Sequence, residues 1–509
     1  MVFASIMNVK TICIVGGGSS GWMMAIALQK KLPKIKVTLI ESPNVPIIGV
    51  GEATVPYTEK FFRDTLEFNE KEWMPFCDAT YKASIRFSDF EILGKTVYHP
   101  FWNREEDQRN GFDWAVKSHI SEVGINDYYS SNYVAYHMSI NNKFNKLEDE
   151  GFRYAHHLDA VKFAHFCKSK FKGKHIKATV KYIQNEGDNI ISVTTDNETV
   201  TADMFIDCTG FKRMLIDKIS HEPFKSISNT LLNDTALTCR IPYENRTKEL
   251  EPVTDCTALS SGWAWNIPIW SRIGSGYVFS SKFQNIKEAK KEYKKYLTKR
   301  FGETRTKDLE FDTINIKTGH YKKGWVGNCL ALPLASGFIE PLESTGLALA
   351  CLQIEDFIEK INTYEYTSYK RSLFNAMSSK IFDEIHTFVL LHYVNTKRDD
   401  SKYWQYIKNN LPIPDSVINY VQSNNPHYCF QGRSRECILL GFNIDSEYSF
   451  KNLSYNQKTL NKNNKEENTI ILENMKYIDD KKNYYIQKVE KMEIQEDYLK
   501  QTIYNEQTN

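Results

Sequence analysis

The fold of this chain is decided by Thr11–Ala27, TICIVGGGSSGWMMAIA. A short apolar run, Ile12–Val15, leads directly into Gly16-Gly17-Gly18-Ser19-Ser20-Gly21, and an apolar, helix-compatible run follows. The order is strand, tight glycine turn, helix N-terminus. Gly16 permits the turn, Gly18 lets a pyrophosphate approach the backbone, and Gly21 lets helix and strand pack closely. The free N–H groups and positive dipole end of the helix then face the phosphates. A second strand, Lys36–Ile40, ends in Glu41, about twenty residues past the glycines, where a carboxylate can hold a ribose hydroxyl. The pattern reads as a dinucleotide-binding βαβ unit.

The bulk properties narrow the class. The 509 residues allow a large core, and 41% hydrophobic with 25% charged residues is ordinary for a globular protein. A formal net charge of +2 gives no field suited to nucleic acid or an anionic membrane. The 10 cysteines lack C-x-x-C spacing, so reduced thiols and a cytoplasmic location are expected, with no metal site. No apolar run reaches the ~18 residues of a membrane span.

Further along, Pro46–Pro56 contains IGVGEATVP, a glycine- and proline-bracketed segment able to run close to a flat ligand. Ser261–Phe283 contains GWAWNIP, and Trp325–Leu352 contains EPLESTG. Together with GGGSSGW, these four motifs, in this order, closely resemble the flavin-dependent halogenase family, whose best-known members are tryptophan halogenases. The resemblance runs from Ile12 to about Gly441. It implies an α/β fold: a Rossmann-like FAD-binding domain of the flavin monooxygenase type, interwoven with a largely helical substrate-binding part. The expected core is 1–441, with an FAD-binding module of 8–220 and 315–361 interleaved with substrate-binding parts 62–175, 221–314 and 362–441. Residues 442–509 form a polar, partly helical extension. Within it Asn461–Asn468 reads as a solvated loop, and Lys481–Thr502 as a charged amphipathic helix that packs back or mediates self-association.

The resemblance also assigns residues. FAD contacts are implied for Gly16, Gly18, Ser19, Ser20, Gly21, Glu41, Ser42, Glu52, Ala53, Val180, Leu334 and Leu347. TYKASIRF, Thr80–Phe87, is similar to the segment carrying the family's essential lysine, which falls on Lys82. An ammonium in a partly apolar site can deprotonate and act as a nucleophile, or hydrogen-bond an oxidant. Glu343 matches the second catalytic residue. A carboxylate there can position the oxidant or accept a proton, and by itself would also stabilise the start of a helix. The two amides after Ser344, those of Thr345 and Gly346, match the halide site at a helix N-terminus. Trp263, Trp265, Ile267 and Pro268 match the W-x-W-x-I-P signature that separates these enzymes from monooxygenases. His99 and Phe101 are aromatics able to sandwich an indole or phenol.

The remaining motifs read locally. His156 and His157 are adjacent, so on a helix they would point about 100° apart and could not readily chelate one metal; they are taken as structural. Lys177–Tyr182 and Ile190–Thr195 alternate like strands, and Met204–Gly210 (MFIDCTG) is an apolar run that returns to the first sheet. Phe382–Leu411 has a mostly helical pattern.

The implied activity is halogenation of an electron-rich arene with FADH2, O2 and halide, through hypohalous acid delivered to Lys82. Bromide or iodide is expected to serve as well as chloride. No second glycine fingerprint follows a strand, so a separate flavin reductase is the expected partner. The alternatives are a flavin-dependent aromatic monooxygenase and a non-catalytic flavin-binding protein. Lys82, Glu343 and GWAWNIP argue against the first, and halogenated product would exclude the second. Tryptophan-specific members grip the amino-acid backbone with a tyrosine pair and a glutamate. His427–Gly441, HYCFQGRSRECILLG, has Tyr428 alone, with Arg433, Arg435 and Glu436. Free tryptophan is therefore not the expected acceptor.

Overall fold

A computed structural model describes residues 6–45, 49–102, 124–422, 429–430, 433–444 and 465–505. Two compact units are each assembled from three stretches of chain. The first takes Met1–Ala79, His156–Ala236 and Asp312–Asp383; the second takes Thr80–Ala155, Leu237–Phe311 and Glu384–Asn509.

The first unit is organised by one sheet. Its strands are β1 (Thr11–Val15), β2 (Lys36–Glu41), β3 (Lys174–Lys177), β4 (Met204–Asp207), β5 (Trp325–Val326) and β6 (Cys329–Ala331). Their spatial order is β5-β6-β4-β1-β2-β3, parallel throughout except for the β5–β6 hairpin. The expected strand-turn-helix is present, with α1 spanning Ser19–Lys31 and burying Gly21–Leu28. The apolar run MFID is the strand lying beside β1, so the chain does re-enter the first sheet after a long excursion. Asp207, at its end, is fully buried and accepts from the amides of Thr209, Leu215 and Ile216. Those bonds hold the turn that follows β4 and only partly oppose the burial, which leaves its carboxyl raised.

One local expectation is corrected here. Lys177–Tyr182 is not one strand: β3 stops at Lys177 and a new strand begins at Val180. The Ala178 amide still bonds the Glu41 carbonyl, the last tie to β2 before the break. His156 and His157 lie on a strand, Ala155–Leu158. Both are buried, and His156 Nε2 sits 3.0 Å from Glu70 Oε1 with its ring edge-on to Trp73.

In the second unit five strands run side by side: Arg272–Phe279, Gly262–Ile269, Val253–Ala258, Ser84–Ser88 and Thr96–Pro100. The Val253–Ala258/Ser84–Ser88 pair is parallel and its neighbours are antiparallel. The helix Ile286–Phe301 covers one face because Ala289, Tyr293, Leu297 and Phe301 fall four residues apart, on one stripe, against Ala264, Ile273, Tyr277 and Phe279. Asn285 and Glu288 form a reciprocal capping box at its start. Asp255 bonds Arg86 at 2.6 Å and Arg300 at 2.8 Å. Burial would raise its carboxyl, but the two guanidinium groups hold it at about 2.

The extension differs from its sequence reading. A helix spans Lys465–Glu490, starting well before Lys481, and short helical turns follow at Gln495–Leu499 and Lys500–Tyr504. Residues 465–468 of the expected polar loop belong to that helix, while 461–464 lie outside the described residues. No described helix is long and apolar enough to cross a membrane.

Candidate active site

In the first unit the glycine turn is shaped by its neighbours. Gly16 has φ +117°, and a Cβ there would meet the Cys208 carbonyl oxygen at 2.1 Å. Only glycine fits, because β4 returns directly against the turn. A Cβ on Gly18, in contrast, would meet nothing within 4 Å, leaving open space at the N-terminus of α1. Glu41 lies beside the turn, its side chain against Gly17, and its carboxylate takes Lys168 Nζ and His175 Nε2 at 3.0 Å each. Ser42 Oγ lies 3.4 Å from Thr179 Oγ1, next to half-buried Val180. Ser20 Oγ donates to the Pro333 carbonyl at 2.7 Å, which joins the start of α1 to the segment holding Leu334. Glycine turn, open helix end and flanking carboxylate fit the diphosphate and ribose of FAD.

The strand Glu52–Ala53 pairs with His157 and Leu158. Pro46, Ile47 and Ile48, the last of which opens the IGVGEATVP motif, lie outside the described residues. Burial pushes the Glu52 carboxyl up to about 7. A folded-state value above the unfolded one means that stability is fully present below about pH 4.5 and is lost as pH rises through about 7. We expect Glu52→Gln to flatten the fall in melting temperature between pH 5 and 7.5, measured without flavin; an unchanged slope would show the carboxyl to be ordinary.

Pro341, Glu343 and Ser344 lead into a second helix, α2 (Gly346–Lys360). Ser344 adopts φ +58° and its amide bonds the Pro341 carbonyl at 2.9 Å, a tight turn that delivers the chain into the helix. The first-turn amides of a helix have no intrahelical acceptors, and no acidic residue occupies this first turn. A Cβ on Gly346 would meet nothing within 4 Å. Glu343 is fully buried, and Ser344 and Thr345 nearly so; Leu347 follows on the helix. Sequence reasoning passed over Glu340, also fully buried, which accepts from Asn233 Nδ2 at 2.7 Å and braces the loop before Glu343.

The second unit brings together Lys82, His99, Phe101 and the W-x-W-x-I-P strand. Lys82 is fully buried on the strand Thr80–Lys82. Its Nζ lies over the Phe101 ring, 5.5 Å from the centroid. Thr80 Oγ1 donates to the Pro268 carbonyl at 2.7 Å, and the Phe101 amide donates to the Ala83 carbonyl at 2.9 Å. Lys82 thus faces Phe101 from a strand whose Thr80 is tied to the motif strand. His99 is buried, 2.9 Å from Ser434 Oγ, with its ring 5.9 Å from that of Phe388.

Trp263 is buried and Trp265 half-buried, on one face of Gly262–Ile269 with ring centroids 5.8 Å apart. Ile267 and Pro268 follow on the same strand, both buried. Gly276, opposite Trp265, escaped the sequence reading. A Cβ there would meet the indole at 2.1 Å, so the glycine makes the bed on which Trp265 lies.

Near the expected acceptor segment, Arg435 donates to the carbonyls of Tyr420 and Val421 at 3.0 and 2.6 Å. Glu436 accepts from Tyr128 at 3.0 Å, and burial raises its carboxyl. Phe430 stacks flat on Phe388 at 3.8 Å. Tyr428 lies outside the described residues.

Comparison with known proteins agrees with this construction. The family model "Tryptophan halogenase" matches residues 11–456. The tryptophan 6-halogenase SttH of Streptomyces toxytricini is 31% identical over 449 residues, covering 82% of this chain and 84% of its own. Its crystal structure superposes with TM-score 0.82 over 97% of this chain and 99% of that one. The tryptophan 7-halogenase RebH of Lentzea aerocolonigenes is 31% identical over 424 residues, 78% of each chain. The fold alone is shared with Xcc4156, a flavin-dependent halogenase from Xanthomonas campestris, at TM-score 0.84 and 24% identity over 97% of this chain and 98% of that one. The resemblance read from four short motifs therefore holds over nearly the whole length, and the chain belongs to the tryptophan halogenase family of flavin-dependent halogenases.

Proposed function

We propose that this halogenase acts on an electron-rich indole or phenol other than free tryptophan, using hypohalous acid captured at Lys82. FAD, when bound reduced, would supply the two electrons and two protons with which O2, halide and one further proton become hypohalous acid and water. Thr345 and Gly346 hold the halide with their amides, and Glu343 orients the oxidant beside them. Lys82 holds the electrophilic halogen, and the arene attacks it: the carbon–halogen bond forms, the bond from halogen to the lysine nitrogen or to the hypohalous oxygen breaks, and the ring proton ends on the released amine or water. His99 and Phe101 stack the acceptor, so that its position relative to Lys82 sets which carbon reacts.

The observation that carries this reading is Lys82 itself, fully buried against Phe101 on a strand that Thr80 ties to the motif strand. Burying an ammonium is costly, and a surface lysine would need no such placement. Free tryptophan is disfavoured because a zwitterion needs partners for both charges, and Arg435 and Glu436 are engaged with protein groups.

Mass spectrometry of an arene panel with chloride, bromide and iodide, under a supplied flavin reductase, tests the reading. Bromination or iodination should at least equal chlorination, because backbone amides impose no strict size filter and the heavier halides oxidise more easily. Indoles or phenols should outrun free tryptophan. Saturable single-position halogenation of free tryptophan above all others would overturn the acceptor assignment.

A second expectation concerns reductant. Protein with NADH, oxidised FAD, halide and arene should give no product until a reductase or chemical reductant is added. Turnover on NADH alone, followed by product formation, would show that the chain reduces its own flavin. The 10 cysteines are all free thiols, as a reducing cytoplasm would keep them.

A further inference from the structure

The family match ends at residue 456, yet the chain beyond it returns to the strand that carries Lys82. After the helix Lys465–Glu490, Ile494 pairs with Lys143, the Phe144 amide donates to the Glu493 carbonyl, and the Gln495 amide donates to the Asn142 carbonyl at 3.0 Å. Gln495 is fully buried, and its Nε2 donates to the Leu250 carbonyl at 2.9 Å. Two residues on, the Pro252 carbonyl takes the Ala83 amide at 2.8 Å, directly beside Lys82. Glu496 accepts from Arg246 Nε at 2.8 Å and Thr247 Oγ1 at 2.6 Å. Arg246 in turn covers Trp270, whose other neighbour is the Tyr504 ring, stacked at 3.8 Å.

The closest approach to the lysine runs through aromatic rings. Tyr81 stacks on Phe144 at 4.4 Å, nearly coplanar, and Tyr498 closes the group at 5.9 Å from Tyr81 and 5.7 Å from Phe144. Tyr81 and Lys82 are neighbours on one strand, so their side chains leave opposite faces. Whatever presses on Tyr81 sets the height of the strand from which Lys82 projects. Tyr498 is therefore behind the lysine and outside the reacting atoms.

We propose that the segment Glu493–Tyr504 is a positioning element for Lys82, acting through Tyr498 on Tyr81 and Phe144. The proposal rests on the assignment of Lys82 as the group that captures hypohalous acid. Displacing a reacting group by 1 Å can cost about 10²-fold, so a modest shift of this strand is enough to let the oxidant escape. The consequence is specific: loosening the segment leaves halide oxidation intact and lowers the fraction of hypohalous acid that ends on the arene.

The test uses the full chain with a flavin reductase, and Tyr498→Ala, Tyr498→Phe, Tyr504→Ala and Lys82→Ala. Halogenated arene and hypohalous acid trapped by a freely diffusing β-diketone are measured together, alongside melting temperature. Tyr498→Ala should shift the ratio of arene product to trapped oxidant about tenfold toward the trap, with total oxidant per reduced flavin unchanged. Tyr498→Phe, which keeps the ring, should restore the ratio, and Tyr504→Ala, at the far end of the segment, should shift it in the same direction by less. A wild-type ratio in both alanine variants, with product lost in Lys82→Ala, would overturn the positioning role and leave the lysine assignment standing. Product retained in Lys82→Ala would overturn that assignment, and the proposal with it. If Tyr498→Ala does not fold, Tyr504→Ala decides on the same ratio.

Discussion

Lys82→Ala should lower arene halogenation by about 10³-fold, within the range lost when a positioned acid–base or nucleophilic group is removed. FAD affinity and the formation of hypohalous acid should persist, because the glycine turn and the Thr345 helix end belong to the first unit and Lys82 to the second. Lys82→Arg adds chemical resolution. Capture as a haloamine needs a neutral nitrogen: the N–halogen bond forms, the O–halogen bond breaks, and water leaves. Arginine stays charged and cannot do this, but it keeps donors that can hydrogen-bond an oxidant. Activity lost in both variants supports the covalent route, and activity kept in Lys82→Arg supports polarisation. Regioselective product at the wild-type rate from Lys82→Ala would show that burial beneath Phe101 serves packing alone. Product by mass spectrometry and oxidant by chemical trapping are the two measurements.

The parts of this molecule written into local sequence were readable, and the parts written into distant pairings were not. TICIVGGGSSG is a strand, a turn and a helix start within a dozen residues, and the structure keeps each. The returning strand Met204–Asp207 was visible because both its faces are buried, which leaves an unbroken apolar run. Lys82 carried no such signal. All three residues of Thr80–Lys82 are buried, so no alternation marks the lysine as facing a site, and only the similarity of TYKASIRF to a known segment singled it out. Gly276 was hidden for a related reason: nothing within IGSGYVF marks it, and its purpose appears only when Trp265 lies across it from the neighbouring strand. His156 and His157 were read as structural, but the strand they form ahead of the helix Ala160–Lys170 was not visible. Their strand is fixed by pairing with Glu52 and Ala53, a hundred residues earlier, which no local window contains.

Gly16 and Gly18, two residues apart, should fail in different ways, and the contrast tests the cofactor cradle. Gly16→Ala places a methyl group 2.1 Å from a backbone oxygen of Cys208, at φ +117°. Neither partner can yield cheaply, because the Cys208 amide is itself bonded to the Val15 carbonyl at 2.8 Å and fixes β4 to β1. Strained backbone of this kind costs about 1–3 kcal/mol before the clash is counted, so the melting temperature should fall along with FAD affinity. Gly18 stands in the opposite situation. Its backbone, φ −76° and ψ 180°, is extended and open to any residue, and a Cβ meets no protein atom within 4 Å. Gly18→Ala should therefore leave the stability of the flavin-free protein within about 1 kcal/mol of wild type. The added methyl group nevertheless fills the space in which a diphosphate must approach the first amides of α1, and FAD affinity should drop at least about tenfold. Fluorescence titration with FAD and calorimetry without it separate the two effects. Wild-type FAD affinity in Gly18→Ala would mean that the open space at this helix end is not where the diphosphate lies.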